Sequence, residues 1–182
     1  MNKLLPLILI LAIGFVSYGV YTQANKSLKS KRLDCQANTT TFERLFLEAP
    51  LKEAIDSFKS NNYSVKSNIE YSKIMSSNLI NILNVEQANE ILERSIAANI
   101  NTKNTHIEDE HKVLIDYYIY ENDKEDKGKK NKDAKNYAGY LVFEFKYNNT
   151  LVYKIQTDYM NLNGTDIEDR MNCVIKSFIS IN

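Results

Sequence analysis

With 23 basic and 23 acidic side chains among 182 residues, the chain carries no formal net charge, so it lacks the basic surplus a nucleic-acid binder needs. Two prolines and five glycines leave no stiff proline-rich spacer and no glycine phosphate loop. Twelve tyrosines and seven phenylalanines without tryptophan favour a sheet with aromatic packing, and the heavy use of Asn, Lys and Ile matches AT-rich bacterial coding.

Lys3 precedes an apolar run from Leu4 to about Val20, interrupted by Pro6, Gly14, Ser17, Tyr18 and Gly19. A membrane-crossing helix needs about 20 apolar residues, with a lower limit near 17, so residues 1–24 read as a signal peptide or a transmembrane anchor. Thr22-Gln23-Ala24 gives signal peptidase an acceptable but imperfect site. Lys26, Lys29, Lys31 and Arg32 follow at once; charge there resists export and conflicts with the positive-inside rule. An apolar segment so close to the N-terminus nonetheless normally directs export. The expectation is an uncleaved single-pass anchor in the bacterial inner membrane carrying a periplasmic domain. The alternative is a soluble periplasmic or secreted protein after cleavage. Residues 25–38 then form a basic flank and linker, and 39–182 a single exported domain of about 150 residues, enough for one core.

Cys35 and Cys173 are the two cysteines, and in an exported chain they most simply form one disulfide. Ile167, Met171, Val174, Ile175 and Phe178 follow the rhythm of one buried helical stripe, which points Cys173 roughly opposite its centre. A stretch crossing outside that helix, such as 33–38, could meet it there. Closing so long a loop stabilises by roughly 5 kcal/mol in the chain-entropy model. No Cys-x-x-Cys and no adjacent His suggests redox or metal chemistry.

Thr40-Thr41-Phe42-Glu43 has capping-box spacing and predicts a helix with Phe42, Leu45 and Phe46 on one face. Pro50 suits the start of a continuation through Leu51, Ala54, Ile55 and Phe58, which Asn61-Asn62 stops. Residues 63–71 are ambiguous, with Val65, Ile69 and Tyr71 compatible with a short extended piece. From Ser72 to Ile100 the pattern reads as one long or two consecutive helices broken near Asn84, followed by a polar linker. The helical part therefore covers 39–104.

From 105 to 182 the period changes to two. Val113, Ile115, Tyr117 and Ile119 alternate with Leu114, Asp116, Tyr118 and Tyr120. Leu141, Phe143 and Phe145 alternate with Tyr140, Val142 and Glu144, and Leu151, Tyr153 and Ile155 with Val152, Lys154 and Gln156. Asn148-Asn149 is a short turn, and the set predicts a three-stranded antiparallel meander with one buried face. The charged run from Glu121 to Asn136 reads as a mobile hairpin loop, and Thr165-Asp166-Ile167-Glu168 as the capping box of a final helix over the buried face.

His106, Glu108, Glu110 and His111 are the weak candidates for a metal-assisted hydrolase, but histidines at i and i+5 share no face of a helix or strand. A solvated linker is the better reading. On the second sheet face, Tyr118, Tyr120, Tyr140 and Val142 could form an apolar partner-binding patch, or could be covered by the first two helices. No Gly-x-Ser-x-Gly or other nucleophile arrangement is present.

Residues 139–178, from Gly139-Tyr140-Leu141-Val142-Phe143-Glu144-Phe145 through Leu151-Val152-Tyr153 and Asn163-Gly164 to Cys173-Val174-Ile175-Lys176-Ser177-Phe178, resemble the strand–turn–strand–helix of the TonB and TolA C-terminal domain superfamily. The resemblance implies an inner-membrane anchor and protein binding by the sheet. The Asn-Asn turn in place of Asp-Gly, the missing long spacer and the unmatched residues 40–100 depart from that pattern.

The expected fold is thus α+β: a membrane or signal helix, two or three α-helices, a three-stranded meander and a C-terminal helix. The expected function is a non-catalytic envelope binding or accessory protein with a protein partner, no cofactor and no identified small-molecule substrate. The alternative is a small exported inhibitor or immunity-type protein.

Overall fold

The computed structural model describes residues 13–19, 32–46, 50–100, 112–125 and 137–181. It comprises two units, Met1–Ser30 and Lys31–Asn182. In the first, residues 13–19 are helical with exposed side chains. Among the described residues no helix is long and apolar enough to cross a membrane, which withdraws the expected membrane-spanning helix. The rest of the apolar run lies outside the described residues.

Among the described residues the second unit is built on five strands, not three. They are β1 (Thr40–Leu45), β2 (Tyr63–Glu70), β3 (Val113–Glu121), β4 (Gly139–Tyr147) and β5 (Thr150–Tyr159), in the order β1-β5-β4-β3-β2. The central hairpins are antiparallel, while β2 runs parallel to β3. Parallel neighbours need a crossover, and α2 (Val85–Ala97) supplies it. Between β4 and β5, Asn148 and Asn149 take positive φ of 48° and 62°, the paired left-handed residues of a tight hairpin turn.

Two expectations for the first half fail for identifiable reasons. The segment predicted to open a helix at Thr40 is instead the edge strand β1, antiparallel to β5. Two β-branched residues and an aromatic suit a strand, and the ladder offered by β5 outweighs a local capping signal. Glu43, needed by the capping box, accepts the Tyr153 hydroxyl at 2.6 Å and pairs with Arg32 at 3.5 Å. The ambiguous segment after Asn62 is a full strand, in register with β3 from Tyr63 opposite Val113 to Glu70 opposite Tyr120.

Helix α1 (Leu51–Lys59) buries Ala54, Ile55 and Phe58 and gives way at Asn61, where φ is 60°. Helix α2 begins at an Asn84–Gln87 capping box, and α3 (Ile167–Ile179) carries the stripe read from the sequence. All three lie against one sheet face. Phe58 of α1 meets Phe145 and Phe178 with ring centroids 6.3 and 5.5 Å apart, and Phe145 stacks on Phe178 at 4.0 Å. Helix α2 reaches the same face where Tyr117 donates to Asn89 at 2.8 Å, and Asn99, just past its end, donates to Asn172 of the last helix. The first two helices therefore do not cover the second face, which the sequence reading had allowed.

The disulfide is present. Cys35, in a short 3-10 turn (Asp34–Gln36), bonds Cys173 of α3 with Cα atoms 5.9 Å apart. It fastens the start of the domain across 138 residues to its last helix.

Candidate functional site: two loops braced by buried carboxylates

Strands β2, β3 and β5 finish at the same end of the sheet, since Glu70 lies opposite Tyr120 and Gly139 lies between Glu121 and Tyr159. From this end leave the segment 71–84, between β2 and α2, and the segment 160–166, between β5 and α3. They meet at Gly164, where a φ of +66° and the Leu79 and Ile167 methyl groups leave a Cβ only 3.1 Å of room.

The first segment buries little of itself and is held by polar groups. Glu121, 2% exposed, accepts from the backbone N–H groups of Ser72, Asn78 and Leu79 at 3.0, 2.7 and 3.0 Å and from the Ser77 hydroxyl. Asp123 accepts from the Ser72 hydroxyl and from the N–H groups of Lys73, Ile74 and Met75 at 3.1, 3.0 and 3.3 Å. Burial alone would raise the Asp123 pKa. The hydrogen bonds from Ser72, Ile74, Lys73 and Met75 outweigh it and hold the carboxyl at about 2. The second segment repeats the device: Asp166 accepts from the N–H groups of Met160 and Asn161 at 2.8 and 3.1 Å and pairs with Arg170.

This bracing explains why Ser72–Leu79 does not open the helix expected from Ser72 onward. N–H groups committed to two carboxylates cannot close i→i−4 bonds. It also corrects the reading of Glu121–Asp123 as the start of a solvated loop: all three residues are buried. Residues 126–136 of that run lie outside the described residues.

With the backbone tied down from within, aliphatic side chains point outward. Ile74, Ile80 and Ile82 are 56, 54 and 44% exposed, and Met160 and Leu162 are 42 and 46% exposed. In segment 72–84 Lys73 is the sole charged residue. Exposed apolar groups without interspersed charge match the composition of protein-interface cores rather than of ordinary surface. The sequence reading missed this site because it took Ser72 to Ile100 as helical. The available signal was composition: Ser76, Ser77, Asn78 and Asn81 prefer turns.

Tyr118, Tyr120 and Tyr140 are half-buried on the face turned away from the three described helices, with Tyr140 stacked on Tyr120 at 4.9 Å and edge-on to Tyr118 at 6.2 Å. Val142 is only 3% exposed and so sits beneath that surface instead of on it. His106, Glu108, Glu110 and His111 lie outside the described residues. Among the described residues, no group of three or more His, Cys, Asp or Glu side chains is placed to hold a metal ion. A depression along α2, lined by Val85, Glu86, Asn89, Glu90, Glu93 and Arg94, lies open to solvent. Comparison with protein-family models, with curated proteins and with solved structures gives no match.

Proposed function

We propose that this chain is a non-catalytic binding protein that works in an oxidising compartment, the bacterial cell envelope, and docks a protein partner on the loops at the carboxyl-braced end of the sheet. The observation that carries the reading is the pairing of a polar-braced backbone with outward aliphatic side chains. A preorganised loop loses little entropy on docking, so its apolar side chains contribute nearly their full burial energy. The Cys35–Cys173 disulfide supports the compartment, because such bonds persist where thiols are not kept reduced. A small exported inhibitor is the second reading, favoured by the rigidity of the first loop. The resemblance of residues 139–178 to the TonB and TolA superfamily points to binding as well, through the sheet.

The test is site-specific photo-crosslinking in intact envelopes, with the reactive group at Ile80 or Ile82 and, as control, at the exposed Lys52 of α1. An adduct of one discrete mass from the loop positions alone, lost on Ile74→Ser, is expected. Equal labelling from Lys52, or no adduct from the loops, overturns the proposal. A one-to-one complex surviving gel filtration separates the inhibitor from a multi-component scaffold.

A further inference from the structure

The sheet face turned away from α1, α2 and α3 is patterned in a way the loop platform does not use. At one end of the face stand Glu70 on β2 and Asp158 on β5, in line across the sheet through Tyr120 and Tyr140. Two steps back along the same strands, and on the same face by strand alternation, stand Lys66 and Lys154, in line through Asp116 and Glu144. The row midway between them, Asn68, Tyr118, Val142 and Gln156, has no charge.

The two ends carry opposite character. Arg44 joins the lysine end from β1, opposite Lys154. There Lys146 bonds Asp116 and Glu144 at 2.9 and 2.8 Å, Lys154 bonds Glu144 at 2.7 Å, and Lys66 lies 3.5 Å from Asp116 with a side chain 72% exposed. These pairs leave the lysine end with surplus positive charge, while Glu70 is exposed and Asp158 sits deeper, at 4%.

A surface that is acidic at one end, basic at the other and neutral between is complementary to itself after a half turn. We propose that a second copy of this chain docks here, face to face, about a two-fold axis running across the strands at the neutral row. Glu70 of each copy then faces Lys66 of the other, while Asp158, buried beneath the same end, adds to its negative field. The contact is isologous, as closed dimers require, and the charges set its register. Five strands about 4.8 Å apart and some 20 Å long offer roughly 500 Å² per copy, about 1,000 Å² in all, at the lower edge of specific interfaces. The dimer is therefore weak, and the surface is distinct from the loop platform.

Sedimentation equilibrium on the oxidised full-length protein, from about 10 μM to 1 mM, tests it through a charge exchange. The unaltered chain should dimerise within that range, more weakly at high salt. Lys66→Glu and Glu70→Lys should each weaken association about tenfold or more by opposing like charges. The double variant should return within about threefold of the unaltered chain, because residue 66 of one copy again meets its opposite at residue 70 of the other. Inside one monomer the exchange restores nothing, since Lys66 loses Asp116 in both variants that carry it. Asn68→Arg, exposed and on the two-fold row, should disrupt while leaving every monomer ion pair intact. A chain that stays monomeric at 1 mM, an association that ignores both single reversals, or a double variant as weak as the singles would each overturn the proposal.

Discussion

The inner face of the sheet and the loops at its end solve the same problem, a fixed backbone, by opposite means. On the inner face, Phe58, Phe143, Phe145, Tyr153 and Phe178 fill the space between strands and helices, and position follows from apolar burial. In the segment Ser72–Leu79, buried carboxylates of Glu121 and Asp123 gather the backbone, and most of the large side chains are left outside. An apolar core consumes the hydrophobic groups that fix it, whereas a polar brace leaves them available for a partner.

Removing apolar volume should act only on the first region, and with the largest effect. Phe178→Ala deletes a fully buried ring touching three others, and denaturant unfolding should register a loss of about 3–5 kcal/mol. Opening the bridge with Cys35→Ser and Cys173→Ser should cost about 2–5 kcal/mol in the same measurement.

The brace is sharpened by pH. Asp123 has a carboxyl held down to about 2, below its unfolded value near 3.9. Its contribution is fully present above about pH 4 and is lost as pH falls through 2. Asp123→Asn should therefore lower stability at pH 7, by about 1–3 kcal/mol, and the difference from the unaltered chain should close towards pH 2. Asp158 gives the opposite sign. Burial first, against the weaker pull of Gln156 and Arg170, raises its carboxyl to about 6. Its protonated form favours the fold, a contribution fully present below about pH 4 and lost as pH rises through 6, so Asp158→Asn should raise Tm by ~2–4 °C at pH 7.5 and do little at pH 4. The smallest effect belongs to the outward groups. Ile80→Ser and Ile82→Ser should stay within about 0.5 kcal/mol of the unaltered chain by denaturant unfolding.

The same contrast explains what the chain reveals when read as letters. Alternation through β3, β4 and β5, the Asn148-Asn149 turn, the stripe of α3 and the cysteine pairing are local or strongly periodic signals, and each has its counterpart in the fold. Strand β1 hid behind a capping-box spacing whose Glu43 is used by a tyrosine 110 residues away, and β2 depends on a parallel neighbour that no local pattern announces. That Tyr118, Tyr120 and Tyr140 share one sheet face was legible from alternation alone. The loop platform was not, because its shape is written in Glu121 and Asp123, more than 40 residues downstream of the backbone they hold.

Amide hydrogen exchange, read residue by residue, tests the braced loop most directly. In the unaltered protein the amides of Lys73, Ile74, Asn78 and Leu79 should exchange slowly although their segment is neither helix nor strand. In Glu121→Gln with Asp123→Asn they should exchange at least tenfold faster, while amides of β3, β4 and β5 keep their protection. Exchange of those four amides at unprotected rates in the unaltered chain would contradict the brace, and with it the loop as a preformed docking surface.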